Sequence, residues 1–259
     1  MKLIQGDFLE VMPYEDDTID LTITSPPYDN LRTYDDTLVW NWDIFTRMAG
    51  KLFMVTKEGG VVVWVVGDAT IKGNETGTSF RQALYFKSIG FNLHDTMIWE
   101  KTGAGAVGSN LCYWQNFEYM FVFSKGKPNT INLIEDRVNV AGGKPTSKYT
   151  ARGVDGKSQK CGIVTQREYG RRFNIWKMPG STHPIHKATY PEQLANDHII
   201  SWSNEGDTIL DPMMGSGTTG KMAKILNRHF IGIEISKEYF DIAPRRIEDT
   251  DPLFQAVGL

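Results

Sequence analysis

Two short segments hold the residue types that could do chemistry. The first is Asp20-Leu-Thr-Ile-Thr24-Ser25-Pro26-Pro27-Tyr28. Its Leu21–Thr24 portion predicts a strand that runs straight into Ser-Pro-Pro-Tyr. Two consecutive prolines fix φ and remove two N–H donors, so the chain must leave the sheet in a rigid extended turn. Ser25 Oγ and the Pro26 carbonyl would offer acceptors to a planar amine, and Tyr28 a π-face on which a base could stack. Acceptors held still suit a reaction that depends on geometry. A proline-stiffened strand end without chemistry would look the same in isolation. The second segment is Thr208-Ile-Leu-Asp211-Pro212-Met213-Met214-Gly215-Ser216-Gly217-Thr218-Thr219-Gly220-Lys221. It reads as a strand, a glycine-rich turn and the start of a helix, with G-x-G-x-x-G over Gly215, Gly217 and Gly220. Glu234 follows 19 residues after Gly215, at the end of the apolar run Phe230-Ile-Gly-Ile-Glu. An acid there can accept hydrogen bonds from both ribose hydroxyls of an adenosine cofactor.

The glycine segment admits three other readings. Gly215 to Lys221 also spells G-x-x-x-x-G-K, but a phosphate-binding loop then needs Ser or Thr to hold Mg²⁺, and this chain has Met222. Binding of a nicotinamide dinucleotide fits the same glycines. So does a turn that merely packs a helix against a strand.

The elements that must position these segments follow from periodicity. Apolar runs predict strands over Leu21–Thr24, Val61–Val66, Met97–Trp99, Tyr119–Phe123, Thr208–Leu210 and Phe230–Ile233. Several are apolar throughout, as strands buried on both faces should be. Amphipathic stretches predict helices over Trp42–Leu52, Ser79–Ile89, Tyr190–Ser201, Thr219–Leu226 and Lys237–Glu248. Strand and helix alternate, which predicts a doubly wound, mostly parallel α/β sheet. There is no internal repeat.

Charge is distributed unevenly. The 259 residues carry a formal net charge of −3, which alone gives no hint of a polyanionic partner. Yet Lys125 to Lys177 has seven Lys and five Arg against four acids, a net +8, and leaves −11 for the remainder. Tyr149, Tyr169, Phe173 and Trp176 interleave with these cations, a mixture suited to backbone and base contacts together. A solvated, flexible insert is the plainer alternative.

Hydrophobic residues at 41% and charged residues at 23% exclude a disordered or low-complexity chain. Two cysteines are too few for a disulfide scaffold and suggest a reducing, cytoplasmic setting. No signal peptide and no membrane span are expected. His183 and His186 lack acid or thiol companions, so no metal site is expected.

Taken in order, the segments resemble the β group of AdoMet-dependent DNA amino-methyltransferases, which modify N4 of cytosine or N6 of adenine. Ser25-Pro26-Pro27-Tyr28 resembles the catalytic motif. Gly6-Asp7 resembles the strand-end acid at the cofactor adenine, and Val65-Val-Gly67-Asp68 the next strand end near the cofactor. His183-Pro-Ile-His-Lys187 with Pro191-Glu192 resembles the helix-opening cofactor motif. Asp211 to Thr219 resembles the methionine-moiety loop, and Gly232-Ile-Glu234 the ribose-binding acid. Two departures are Met213-Met214, where Phe or Cys is usual, and the His-Pro-Ile-His-Lys run, which matches neither common variant.

The resemblance implies a seven-stranded methyltransferase sheet, with residues 1–124 as the catalytic half, 125–180 as a target-recognition insert and 181–259 as the AdoMet-binding half. It implies Ser25, Pro26, Pro27 and Tyr28 as catalytic residues. Cofactor-binding residues would be Asp7, His183, Lys187, Asp211, Pro212, Met213, Gly215, Ser216, Gly217, Thr218, Thr219 and Glu234. Double-stranded DNA would meet Arg32, Lys144, Lys148, Arg152, Arg171 and Arg172. Arg32 sits just after the catalytic corner and could instead close a loop over AdoMet. A second copy of the chain and a cognate restriction endonuclease are further partners the resemblance raises, though no residue specifies either.

The expected reaction follows from the nitrogen. An exocyclic amine is a poor nucleophile because its lone pair is conjugated with the ring; acceptors at Ser25 and Pro26 would turn it toward sp³. A duplex hides that amine, so the base must be flipped out. Carbon-5 methylation needs a thiolate, typically after proline; Leu111 precedes Cys112 and Lys160 precedes Cys161, which speaks against it. In the family it resembles, Ser rather than Asp at the place of Ser25 leans toward cytosine N4, so the resemblance implies cytosine, with adenine N6 as the alternative. An RNA or protein methyltransferase, or a module that binds AdoMet without chemistry, stays open.

Overall fold

The computed structural model describes residues 1–12, 17–27, 40–103, 112–146, 150–160, 164–180 and 190–248. Eight strands form the central sheet: β1 (Lys2–Gln5), β2 (Ile19–Thr24), β3 (Thr56–Val66), β4 (Asn92–Thr102), β5 (Phe117–Ser124), β6 (Ile175–Pro179), β7 (Thr208–Asp211) and β8 (His229–Glu234). Their spatial order is β1-β8-β7-β2-β3-β5-β4-β6. Only β5 runs against its neighbours, pairing antiparallel with β3 and β4. The sheet is therefore mostly parallel, with one strand more than the seven expected.

The uninterrupted apolar run of β3 explains the two-sided core. Successive side chains of a strand point to opposite faces. Val61, Val63 and Val65 join Leu21, Ile23, Leu194, Ile199, Met222 and Ile247 on one side. Val62, Trp64 and Val66 join Phe45, Leu52, Phe86 and Phe123 on the other. Helices α2 (Trp42–Val55) and α3 (Thr78–Ser88) cover the second face. The first is covered by α4 (Glu192–Trp202), α5 (Thr218–Ile225) and α6 (Lys237–Glu248). A single-turn helix, α1 (Phe8–Val11), follows β1. No helix among the described residues is long and apolar enough to cross a membrane.

The chain divides into two compact units, Met1–Asn132 with Asn174–Leu259, and Leu133–Phe173. The second is narrower than the basic stretch Lys125–Lys177 and than the 125–180 insert that the resemblance implies. Its flanks belong to the sheet unit: Lys125 reaches Asp17 and the carbonyls of Phe53 and Thr56, and β6 completes the sheet edge. Within the smaller unit, three antiparallel pairs nest: Arg137–Val138 with Tyr169–Gly170, Pro145–Thr146 with Val164–Thr165, and Thr150–Arg152 with Ser158–Lys160. Together they make an interrupted two-stranded ribbon.

Candidate active site

Strands β1, β8, β7 and β2 are parallel neighbours and end along one edge of the sheet. Open α/β sheets bind ligands outside this carboxyl edge. The four strand ends supply Gly6-Asp7, Glu234, Asp211-Pro212-Met213 and Ser25-Pro26-Pro27. One cavity opens there, lined by Gly6, Asp7, Phe8, Pro27, Trp40, Ile44, Met48, Pro212, Met213, Glu234 and Ile235. Segments more than 200 residues apart in sequence thus share a wall: the Gly6 N–H donates to the Glu234 carbonyl at 2.9 Å.

Glu234 is buried and both its oxygens hold backbone. Oε2 accepts from the Gly215 N–H at 2.8 Å and Oε1 from the Ser236 N–H at 2.8 Å. Burial raises its pKa; the backbone donors pull it down, and the nearby Asp211 charge pushes it up again. Asp211 is fully enclosed. Burial raises its pKa to about 6, against the pull of the Thr219 hydroxyl, the Met213 N–H and the Thr24 and Tyr190 hydroxyls. Its Oδ2 accepts from Thr219 Oγ1 at 2.8 Å and from the Tyr190 hydroxyl at 3.1 Å, and those two hydroxyls also bond each other. Asp7 caps α1, its Oδ1 accepting from the Leu9 N–H at 2.8 Å.

The glycine turn is shaped by contacts behind it. Gly217 has φ of +85°, a left-handed conformation that L side chains resist. A Cβ on Gly220 would stand 2.5 Å from Phe230 and 2.7 Å from Ile247, so α5 can approach β8 only through glycine. The packing reading of these glycines therefore holds for Gly220. Ser216 is buried and its hydroxyl accepts from Arg246 at 2.6 Å. Lys221 donates to both oxygens of Glu192, at 2.9 and 3.0 Å. An ammonium held on a carboxylate outside the turn does not cradle phosphates, which disposes of the phosphate-loop reading.

Of the residues singled out from sequence, Asp7, Pro27, Pro212, Met213 and Glu234 line the cavity. Asp211, Gly215, Ser216, Gly217, Thr218 and Thr219 build the turn and helix start behind it. Ser25 and Pro26 lie between the end of β2 and Pro27. Asp68 serves instead as a cap on α3, accepting from the Ser79 N–H at 2.9 Å. Tyr28, Arg32, Lys148, His183 and Lys187 lie outside the described residues. In the smaller unit Lys144 is exposed, and Arg152 belongs to a ribbon arm. Arg171 is 72% exposed and 3.9 Å from Glu135. Arg172 is turned onto Asp136 in a two-pronged ion pair, 22% exposed, so its role there is to hold the ribbon together.

Sequence reasoning missed Phe8, Trp40, Ile44, Met48 and Ile235 as cavity residues. Ile44 and Met48 are four apart on α2, a spacing that signals a shared face but not what that face meets. It also missed Tyr190, and Lys51, whose buried ammonium donates to the Phe8 and Leu9 carbonyls at 3.0 and 2.9 Å.

A DNA methylase family model matches residues 19–245. The orphan methyltransferase M.BamHII of Bacillus amyloliquefaciens is 55% identical over 246 residues, covering 90% of each chain. The chain belongs to this DNA methylase family. It is an AdoMet-dependent DNA methyltransferase. Among solved structures, PvuII DNA methyltransferase, described as cytosine-N4-specific, aligns with a TM-score of 0.69 at 19% identity, over 96% of this chain and 86% of its own. The M1.HpyAVI–SAM complex aligns with a TM-score of 0.65 at 20% identity, over 95% and 98%. These two share the fold of the methylase.

The cavity suits AdoMet in its donor set. It pairs two strand-end carboxylates, Asp7 and Glu234, with apolar walls from Phe8, Trp40, Ile44, Met48 and Ile235. Carboxylates match ribose hydroxyls and an amine, and apolar side chains match a purine face.

Proposed function

We propose that this methylase acts on double-stranded DNA at a defined sequence and transfers the methyl group to N4 of cytosine. One observation carries the reading: Pro27 of the Ser-Pro-Pro corner lines the same cavity as Asp7, Met213 and Glu234. Ser25 and Pro26 directly precede Pro27 in the chain, which supports setting their acceptors beside the residues that would hold the donor.

Asp7 and Glu234 would fix the adenosine, and Met213 with the glycine turn would hold the methionine end. Bound AdoMet supplies an electrophilic methyl group on a sulfonium. Ser25 Oγ and the Pro26 carbonyl would accept the two N–H bonds of a flipped base and aim its lone pair. Tyr28 would stack on that base, returning on the order of 1–3 kcal/mol of a few kcal/mol lost on unstacking. The proton becomes acidic once nitrogen is methylated, so no strong base is needed. A neutral Ser at position 25 suits the cytosine amine.

The ribbon of Leu133–Phe173 would read the target. A two-stranded ribbon is a shape the major groove admits. Exposed Lys144, Arg167 and Arg171 give it positive charge. Transfer of tritium from labelled AdoMet to duplex DNA, single strands, RNA and protein tests the substrate class. Incorporation into duplex DNA is expected; incorporation only into RNA or protein would overturn the reading.

A further inference from the structure

The connection between β4 and β5 leaves the sheet at an informative place. β4 runs parallel to β6 and antiparallel to β5, and β5 antiparallel to β3. The end of β4 and the start of β5 therefore lie at the same edge as Pro26-Pro27 and the cavity. From β2 to β5 are two strand spacings, roughly 10 Å. That is less than the width of a major groove, about 12 Å.

The neck of this connection is fixed. The Lys101 N–H donates to the Asn116 carbonyl at 2.8 Å. Lys101 Nζ pairs with the buried Glu118 at 2.6 Å and stands 5.2 Å from the Trp99 ring centroid. Beyond the neck, Tyr113 is 101% exposed and Trp114 68% exposed. By contrast, Trp64, Trp99, Trp176 and Trp202 are all buried. Two adjacent large aromatics held in water on a braced neck are a surface awaiting a partner.

We propose that Tyr113 and Trp114 stack on the DNA bases beside the target and brace the duplex while the target base is extruded. This rests on the reading that the Ser25–Pro27 corner acts on a flipped base. Every base has a π-face, so aromatic stacking is tolerant of sequence. Apolar side chains that enter a base step stabilise its unstacked form. Tyr113 and Trp114 thus act as positioning residues on the duplex, apart from the groups that choose the sequence.

The test uses a duplex carrying the site mapped by sequencing DNA that the wild-type enzyme has methylated. A second duplex carries a mismatch opposite the target, where extrusion costs less. Single-turnover transfer is compared for wild type, the double variant Tyr113→Ala with Trp114→Ala, and Trp114→Phe. The double variant should be slower by roughly tenfold on the matched duplex, the scale of one lost stack. On the mismatched duplex it should fall within about twofold of wild type. Trp114→Phe should behave as wild type on both, and AdoMet affinity and Tm should be unchanged throughout. Wild-type speed of the double variant on the matched duplex, or equal slowing on both duplexes, would overturn the assignment. A wild-type enzyme that methylates no DNA would overturn the underlying reading, and this assignment with it.

Discussion

On the proposed reading Glu234 would hold the donor and Tyr28 the acceptor base, so their loss should be distinguishable. Glu234 carries the Gly215 and Ser236 N–H groups as well as its expected ribose contacts. Glu234→Ala should weaken AdoMet by about tenfold or more, as hydrogen bonds to a charged group are lost. Tyr28→Ala should leave AdoMet affinity near wild type and lower single-turnover transfer instead. Calorimetry and quenched-flow rates on the two variants check this, and equal loss of both quantities in Tyr28→Ala would remove its stacking role. At this scale the sequence was legible where an acid ends an apolar run, as at Asp211 and Glu234, because spacing alone marks a strand end; Asp7 was reached only through the family resemblance. It was silent on Lys51 and Arg246, whose partners Phe8 and Ser216 lie 43 and 30 residues away. Nothing local announces such contacts.

Two elements, β7 and α4, respond to acid in opposite senses. Asp211 at the end of β7 is held at about 6 against an ordinary 3.8, so the folded state binds its proton more tightly. Its contribution is greatest below the ordinary value and is lost as pH rises through about 6. His198 on α4 is fully buried and held at about 3 against 6.5. It faces Met120 Sδ, the Trp176 ring and Trp202, whose Nε1–H donates to Nδ1 at 3.3 Å. Its contribution is present above 6.5 and is lost as pH falls toward 3. Urea midpoints between about pH 4.5 and 7 should therefore fall more steeply on acidification in Asp211→Asn and less steeply in His198→Asn. The reverse ordering would contradict these assignments. On α2, Lys51→Met should take the ammonium donor away from the Phe8 and Leu9 carbonyls and loosen α1, which Asp7 caps. The expected signature is a raised KM for AdoMet with little change in kcat. All five expected helices formed; Lys237–Glu248 has the expected bounds, and the ends of the other four differ by at most three residues. The short β1 and α1 went unread because four residues carry little periodicity. β6 was hidden inside the basic stretch: it alternates buried Trp176 and Met178 with exposed neighbours, as a strand at a sheet edge does.

For the whole molecule, net charge was a poor guide and its distribution a better one. Part of the positive excess is spent inside the protein: Lys125 on Asp17, Lys177 on Glu100 and Arg172 on Asp136. Arg171, largely exposed, is the better candidate for phosphate. Arg171→Ala should weaken duplex binding uniformly across sequences and flatten the slope of log K against log salt by about 0.9. Arg172→Ala should lower the thermal stability of the Leu133–Phe173 unit instead. The ribbon itself was not foreseeable, since its paired stretches are two or three residues long and interrupted. The central claim concerns one atom, the nitrogen that receives the methyl group. Duplex DNA incubated with the enzyme and AdoMet, digested to nucleosides and resolved by mass spectrometry, identifies that atom directly. N4-methyldeoxycytidine is the predicted product; N6-methyldeoxyadenosine or 5-methyldeoxycytidine in its place would contradict the account.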